Sequence, residues 1–301
     1  MLRRLLLALF VILAAGGAAR AAEPLVGVPW LKEHLGTPGL VVVDVRSPGE
    51  YLQAHIPGAV STDYAKSGWR VDRDADKVPE QLPTDFAPLA RHVGELGIDG
   101  ASHVVLVHGG RSAGEVGAAT RIYWTFKLMG HDQVSILDGG FAEWAKDKAN
   151  PLEAGKVTPA VKVFPLHLRT EMIAREDDVV AAQPGQLVDA RSEDFYAGIN
   201  RSGLAKANGT ISGARNLPFT WLTVNAGGAF RKKDQLETLF AVAGVPAHGE
   251  QILFCNTGHL ASIDWFVSHE LLGNAQARLY PGSMTEWTNH GRPVEQKVKL
   301  P

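Results

Sequence analysis

The stretch "LVVVDVRSPGEYLQAHIPGAVSTDY" (residues 40–64) decides the fold, because the chain contains it twice. The second copy reads "LVDARSEDFYAGINRSGLAKANGTISGARNLPF" (187–219). Each copy opens on an apolar run ending in Asp-x-Arg, at Asp44/Arg46 and Asp189/Arg191. Each then reaches an Ile-x-Gly-Ala turn, at 56–59 and 211–214, with ten extra residues before the turn in the second copy. Further along, "VVLVHGG" (104–110) pairs with "QILFCNTG" (251–258). "LMGHDQVSILDGGFAEW" (128–144) pairs with "LLGNAQARLYPGSMTEW" (271–287) at a constant offset of 143. Self-similarity over such lengths means one folded unit made twice.

Within a unit, strands and helices alternate. Residues 41–45, 104–108 and 134–138 are short apolar runs bounded by Gly or Asp, as buried parallel strands are. Residues 114–129 and 260–272 have helical periodicity, and in the second Leu260, Ile263, Phe266, Val267 and Leu271 lie on one stripe. Gly273 is placed to stop that helix. This order predicts an α/β fold of two tandem domains, each a mainly parallel sheet flanked by helices. The predicted domains are 22–149 and 166–301, joined by the Pro- and Lys-dotted linker 150–165.

The N-terminus, "MLRRLLLALFVILAAGGAARAAEPLV", reads as a secretory signal peptide over residues 1–21, with Arg3 and Arg4 before a short apolar run and an Ala-x-Ala site at 19–21. The run is shorter than the roughly 18–20 residues needed to span a bilayer. The expectation is a periplasmic protein with no stable membrane association. Losing Arg3, Arg4 and Arg20 takes the formal charge from −2 to −5. A mildly acidic chain without basic clusters offers no footprint for nucleic acid.

Cys255 is the one cysteine in 301 residues, so no disulfide staples this fold. A lone thiol is either an inert buried residue or a reactive group. Its surroundings favour the second. Cys255 ends an apolar strand, where open α/β sheets bind ligands, and a helix starts about six residues on. Gly258 lets the loop Asn256, Thr257, Gly258, His259, Leu260, Ala261 turn sharply and aim successive N–H groups inward. With the free N–H groups of the next helix, the loop makes an anion cradle that favours thiolate, the nucleophilic form. The first copy has a longer loop here and His108 in place of the cysteine.

This tandem pattern, with Asp-x-Arg after an early strand, a Cys-x-x-Gly loop and a terminal "GSMTEW", resembles the rhodanese sulfurtransferases in their two-domain form. The resemblance implies that only the C-terminal domain is active. It implies transfer of a sulfane sulfur from a donor such as thiosulfate, through a Cys255 persulfide, to a thiol or cyanide-like acceptor, without a cofactor. Arg191 matches an arginine that the family places near the active-site mouth to attract an anionic donor, and an ion pair with Asp189 is the competing role. Phe219 matches an apolar wall position, with plain core packing as the alternative. Two departures bear on the donor. Phe195 stands where many relatives have a second arginine, which argues against mercaptopyruvate. Asn256 and Thr257 replace the two basic residues common in thiosulfate enzymes. His259 is expected to face solvent or to respond to pH near neutrality.

Other chemistries find less support. Six residues after Cys255 stands Ala261, not the arginine of a Cys-x5-Arg phosphatase. No H-x-H, HExxH or C-x-x-C occurs, so no metal site is expected. "GGRSAGEVG" (109–117) lacks the G-K-[ST] ending of a phosphate loop. A sulfur carrier that delivers its persulfide to a partner protein, with little small-molecule turnover, is the alternative.

Overall fold

The computed structural model describes residues 22–73 and 78–300. The proposed signal peptide lies outside the described residues. The first domain carries β1 (Leu25–Val26), β2 (Leu40–Asp44), β3 (Val60–Ser61), an antiparallel pair β4 (Val71–Arg73) and β5 (Val78–Gln81), β6 (His103–Val107) and β7 (Val134–Leu137). Its main sheet runs β1-β7-β6-β2-β3, every neighbour parallel. The second carries β8 (Leu187–Asp189), β9 (Arg215–Asn216), β10 (Gln251–Phe254) and β11 (Ala277–Leu279), ordered β11-β10-β8-β9 and again parallel. The two orders superpose, with an isolated parallel bridge from Ile173 to Leu279 in the place of β1. Each domain therefore has a parallel sheet with helices on its faces, as the alternating pattern predicts.

Helices α1 (Val28–His34), α2 (Pro48–Gln53), α3 (Ala87–Glu95), α4 (Ala113–Leu128) and α5 (Gly140–Lys146) belong to the first domain. Helices α6 (Glu176–Ala181), α7 (Glu193–Ala197), α8 (Lys233–Val242), α9 (Ala261–Trp265) and α10 (Ser283–Asn289) belong to the second. The expected helix 260–272 is α-helical only through Trp265 and continues as a π-helical turn, Phe266–Leu271, before Gly273 at φ 81° ends it. Residues 150–165 cross the first domain rather than hanging free. Lys162 N–H donates to Gly94 O, and Phe164 is buried beside Phe126 and His131.

The two sheets share one apolar core. It runs from Trp124, Tyr123 and Phe126 on α4 to Trp265, Phe266 and Val267 across the seam. Tyr123 meets Phe266 edge-on with ring centroids 4.9 Å apart, and Phe230 lies 5.1 Å from Phe266. Each such buried aromatic contributes about 1.5–3 kcal/mol by leaving water. Smaller cores around Trp144 and Trp287 close the outer face of each sheet. Because α4 and α9 are the two helices pressed together, the loop at the start of α9 is set against the first domain. That loop begins at Cys255.

Candidate active site

Hydrogen bonding places His108 and Cys255 at equivalent points. Phe141 N–H donates to His108 O at 2.7 Å and Ala142 N–H to Gly109 O at 3.0 Å. In the second domain Met284 N–H donates to Cys255 O at 3.1 Å and Thr285 N–H to Asn256 O at 3.0 Å. The strand-to-helix loops are thus the same device in both domains. They differ in what occupies them.

In the first domain the loop holds its own anion. The Glu115 carboxylate accepts from Arg111 N–H at 2.8 Å and pairs with the Arg111 guanidinium, which also reaches Glu50. His108 is buried, and burial pushes it down to about 4, so it is neutral at neutral pH. In the second domain no carboxylate among the described residues bonds the loop. Among the described residues, no acceptor is found for the backbone N–H groups of residues 256–260, which lie outside any helix or strand. Unpaired N–H groups next to a helix start favour a negative charge there. Cys255, 1 % exposed, stands at the start of that loop.

The loop is fastened at both ends. Ser283 Oγ accepts Cys255 N–H at 3.1 Å and donates to Tyr280 O at 2.8 Å, with Ser283 at φ 52°. Gly140 is its counterpart in the first domain at the same offset, and a Cβ there would lie 2.3 Å from His108 O. Gly258, at φ 72°, lets the chain pass within what would be 2.7 Å of Arg121 Nη1 and of Pro281 Cα for any added Cβ. Thr257 and Ala261 are buried, Asn256 and Leu260 partly so, and the Asn256 Oδ1 atom has no hydrogen-bond partner among the described residues. Ala261 opens α9, and Leu260 packs on the shared core.

The first domain closes over this loop. Arg121 Nη1, from the middle of α4, donates to Gly258 O at 2.9 Å. Thr120 Oγ1 and Ser262 Oγ are 2.7 Å apart. His259 is partly buried against the first domain rather than free in solvent. Its Nδ1 lies 3.0 Å from the Tyr64 hydroxyl, and its ring rests against Gly117, where a Cβ would approach Nε2 to 2.7 Å. Burial, then the charges of Arg121 and Arg70, push His259 down to about 4. It is therefore neutral at neutral pH and does not switch there.

Arg191 has the ion-pair geometry. Its Nε donates to Asp189 Oδ1 at 2.9 Å, its Nη2 to Asp189 Oδ2 at 2.6 Å and to Gly209 O at 2.8 Å, with 2 % of the side chain exposed. The cysteine-free domain makes the same pair. Arg46 bonds Asp44 through Nε and Nη2 and donates to Ala54 O. Phe219 begins a short 3-10 turn, donates its N–H to Ala190 O at 2.9 Å and is partly buried against the shared core. Sequence reasoning missed Arg121, Tyr64 and Ser283. Tyr64 and Arg121 come from the other domain, and only the Gly140-to-Ser283 change within the repeat signalled the third.

The family model described as the rhodanese-like domain matches residues 28–147 and again 171–290. A protein of Mycolicibacterium smegmatis named "Putative thiosulfate sulfurtransferase" is 33 % identical over 291 residues, covering 93 % of this chain and 98 % of its own. The crystal structure of SseA from Escherichia coli, described with the rhodanese fold of 3-mercaptopyruvate sulfotransferases, is 29 % identical and covers 87 % of this chain and 99 % of its own, with a TM-score of 0.74. The Tum1 protein of Saccharomyces cerevisiae, 20 % identical, shares the fold at a TM-score of 0.75, covering 92 % of this chain and 99 % of its own.

Proposed function

The chain belongs to the rhodanese-like domain family of sulfurtransferases, and we propose that within it this protein moves a sulfane sulfur through a persulfide on Cys255. The observation that carries the reading is the contrast between the two loops. The first domain fills its cradle with Glu115, whereas in the second the N–H groups of 256–260, next to Cys255 in the chain, have no acceptor among the described residues.

In the first half-reaction the Cys255 thiolate attacks the outer sulfur of thiosulfate. A Cys–S–S bond forms, the sulfur–sulfur bond of the donor breaks, and sulfite leaves with its electron pair. In the second, a thiolate or cyanide acceptor attacks the terminal persulfide sulfur, and the Cys255 thiolate leaves with the pair. Charge is conserved in both steps, and one displacement becomes two easier ones. The open N–H groups favour the anion present at the start and end of each step.

Thiosulfate is the proposed donor. The absence of an arginine at Phe195 leaves a mercaptopyruvate carboxylate without the fork that binds such groups, and the M. smegmatis relative carries thiosulfate in its name. The leader-like residues 1–21 support a periplasmic setting, which N-terminal sequencing of the exported protein tests. Carriage of sulfur to one partner protein is a second reading, and the lack of basic residues at Asn256 and Thr257 favours it.

Protein mixed with thiosulfate should gain the mass of one sulfur atom on the peptide containing Cys255, and Cys255→Ser should gain none while staying folded. No adduct with thiosulfate or mercaptopyruvate, on protein with a reduced thiol, rejects the reading. Many turnovers with thiosulfate and cyanide support the enzyme, and a single stoichiometric loading supports the carrier.

A further inference from the structure

Arg121 is a buried charge that the reaction above does not use. It sits in the middle of α4, 1 % exposed, among apolar and aromatic side chains. Its Nη1 bonds Gly258 O, and its guanidinium carbon lies 5.0 Å from the Trp124 ring. Among the described residues, its Nε and Nη2 have no hydrogen-bond partner and no carboxylate pairs with it.

Such a group is costly. A guanidinium cannot shed its proton under ordinary conditions, so it stays charged where it is. Taking it out of water is unfavourable by several kcal/mol unless an opposite charge or full hydrogen bonding compensates. Arg46 and Arg191 are both buried against a carboxylate; Arg121 is not. Among the described residues, the acidic groups whose charge acts on it are Tyr64 and Cys255. The Tyr64 hydroxyl is engaged by His259. Cys255 is left.

We propose that Arg121 is the counter-charge of the sulfur site: supplied by the cysteine-free domain, it electrostatically stabilises the anionic sulfur on Cys255 and the anionic donor that approaches it. The inference rests on the Cys255 persulfide reading and deepens it. It also accounts for the loop sequence. Asn256 and Thr257 bring no positive charge, and Gly258 has no Cβ where one would strike Arg121 Nη1 at 2.7 Å. The charge that the loop lacks arrives across the domain seam, and the glycine is what lets it arrive. Arg121 would act in this way only with both domains in place.

The test reads charge at Cys255 without requiring sulfur transfer. Full-length protein is alkylated with anionic iodoacetate and, separately, with neutral iodoacetamide, and the ratio of the two rates is normalised to the ratio for glutathione. Wild type should exceed glutathione at least about tenfold. Arg121→Met, similar in length and neutral, should bring the ratio close to that of glutathione, and Arg121→Lys should keep most of the preference. A purely structural bond to Gly258 O would slow both reagents alike and leave the ratio unmoved. An unchanged ratio in Arg121→Met overturns the proposal, as does a Cys255 that neither reagent reaches. If Arg121→Met does not fold, the wild-type ratio decides alone, and parity with glutathione overturns it. Sulfur loading measured on the same samples keeps the two claims apart. A high ratio with no sulfur uptake rejects the persulfide reading while leaving a cation at the thiol, whereas normal uptake with a flat ratio rejects Arg121.

Discussion

Ser283 holds Cys255 by its backbone: the Ser283 hydroxyl accepts the Cys255 N–H at 3.1 Å from a residue at φ 52°. A non-glycine residue in that region is strained by about 1 kcal/mol or more. A net hydrogen bond returns roughly the same amount. Ser283→Gly should therefore leave the melting temperature nearly unchanged, and Ser283→Ala, which keeps the strain and loses the bond, should lower stability by about 1–2 kcal/mol. Both should slow sulfur transfer from thiosulfate, because the strand end that aims Cys255 is no longer tied. Thermal unfolding beside steady-state rates checks the pair, and a Ser283→Gly protein with full activity would show that the bond is decorative.

Arg191→Ala is expected to behave as a stability mutant. Removing one partner of a fully buried pair leaves Asp189 uncompensated and costs about 3–5 kcal/mol. Arg46→Ala should lose a comparable amount, although its domain has no cysteine, because its contacts are the same. Urea unfolding of both variants measures this. Any Arg191→Ala protein that still folds should show its main defect in stability rather than in the KM for thiosulfate. A selective rise in that KM, at wild-type stability, would return Arg191 to donor capture.

Much of this arrangement was legible in the chain, and the part that was not has a common cause. Asp44/Arg46 and Asp189/Arg191 repeat, strands alternate with helices, and "FCNTG" follows a strand; each is a local signal. Those signals suffice for two parallel sheets and a loop around Cys255. They do not say that Arg121 and Tyr64 meet that loop, since the contacts are 137 and 195 residues away in sequence. His259 looked like a loop histidine because nothing near it in sequence buries it; Gly117 and Tyr64 do so from the other domain. The π-helical turn at 266–271 is likewise hidden, because an apolar stripe fits an α-helix and a slightly wider turn equally well.

Gly258 should tolerate no side chain. Gly258→Ala meets strain from φ 72° together with a Cβ 2.7 Å from both Arg121 Nη1 and Pro281 Cα. Overpacking of this kind costs about 1–3 kcal/mol beyond the strain. Gly213→Ala is the control, since its φ is 82° but its Cβ would meet nothing closer than 3.8 Å. Gly258→Ala should be the less stable of the two by urea unfolding and should lose most sulfur loading from thiosulfate, while Gly213→Ala keeps it. Equal stability and equal loading would mean that the seam gives way freely at this point.

Asp264 should make the protein less stable as pH rises. The residue is fully buried in α9, neither carboxylate oxygen has a hydrogen-bond partner among the described residues, and burial, followed by the charge of Asp189, pushes its pKa well above the usual carboxylate range. The folded chain therefore holds a proton there that the unfolded chain releases once the pH passes the ordinary carboxylate value. Between those two pKa values the folded state binds more protons, so the contribution of this group is fully present below the unfolded value and is lost as pH rises. Asp264→Asn removes the titration while keeping the shape. Its stability relative to wild type should be similar at pH 4 and progressively greater from pH 5 to pH 8, read as the gap between urea midpoints at each pH. A gap that stays constant across that range would mean that Asp264 finds a partner for its charge in solution.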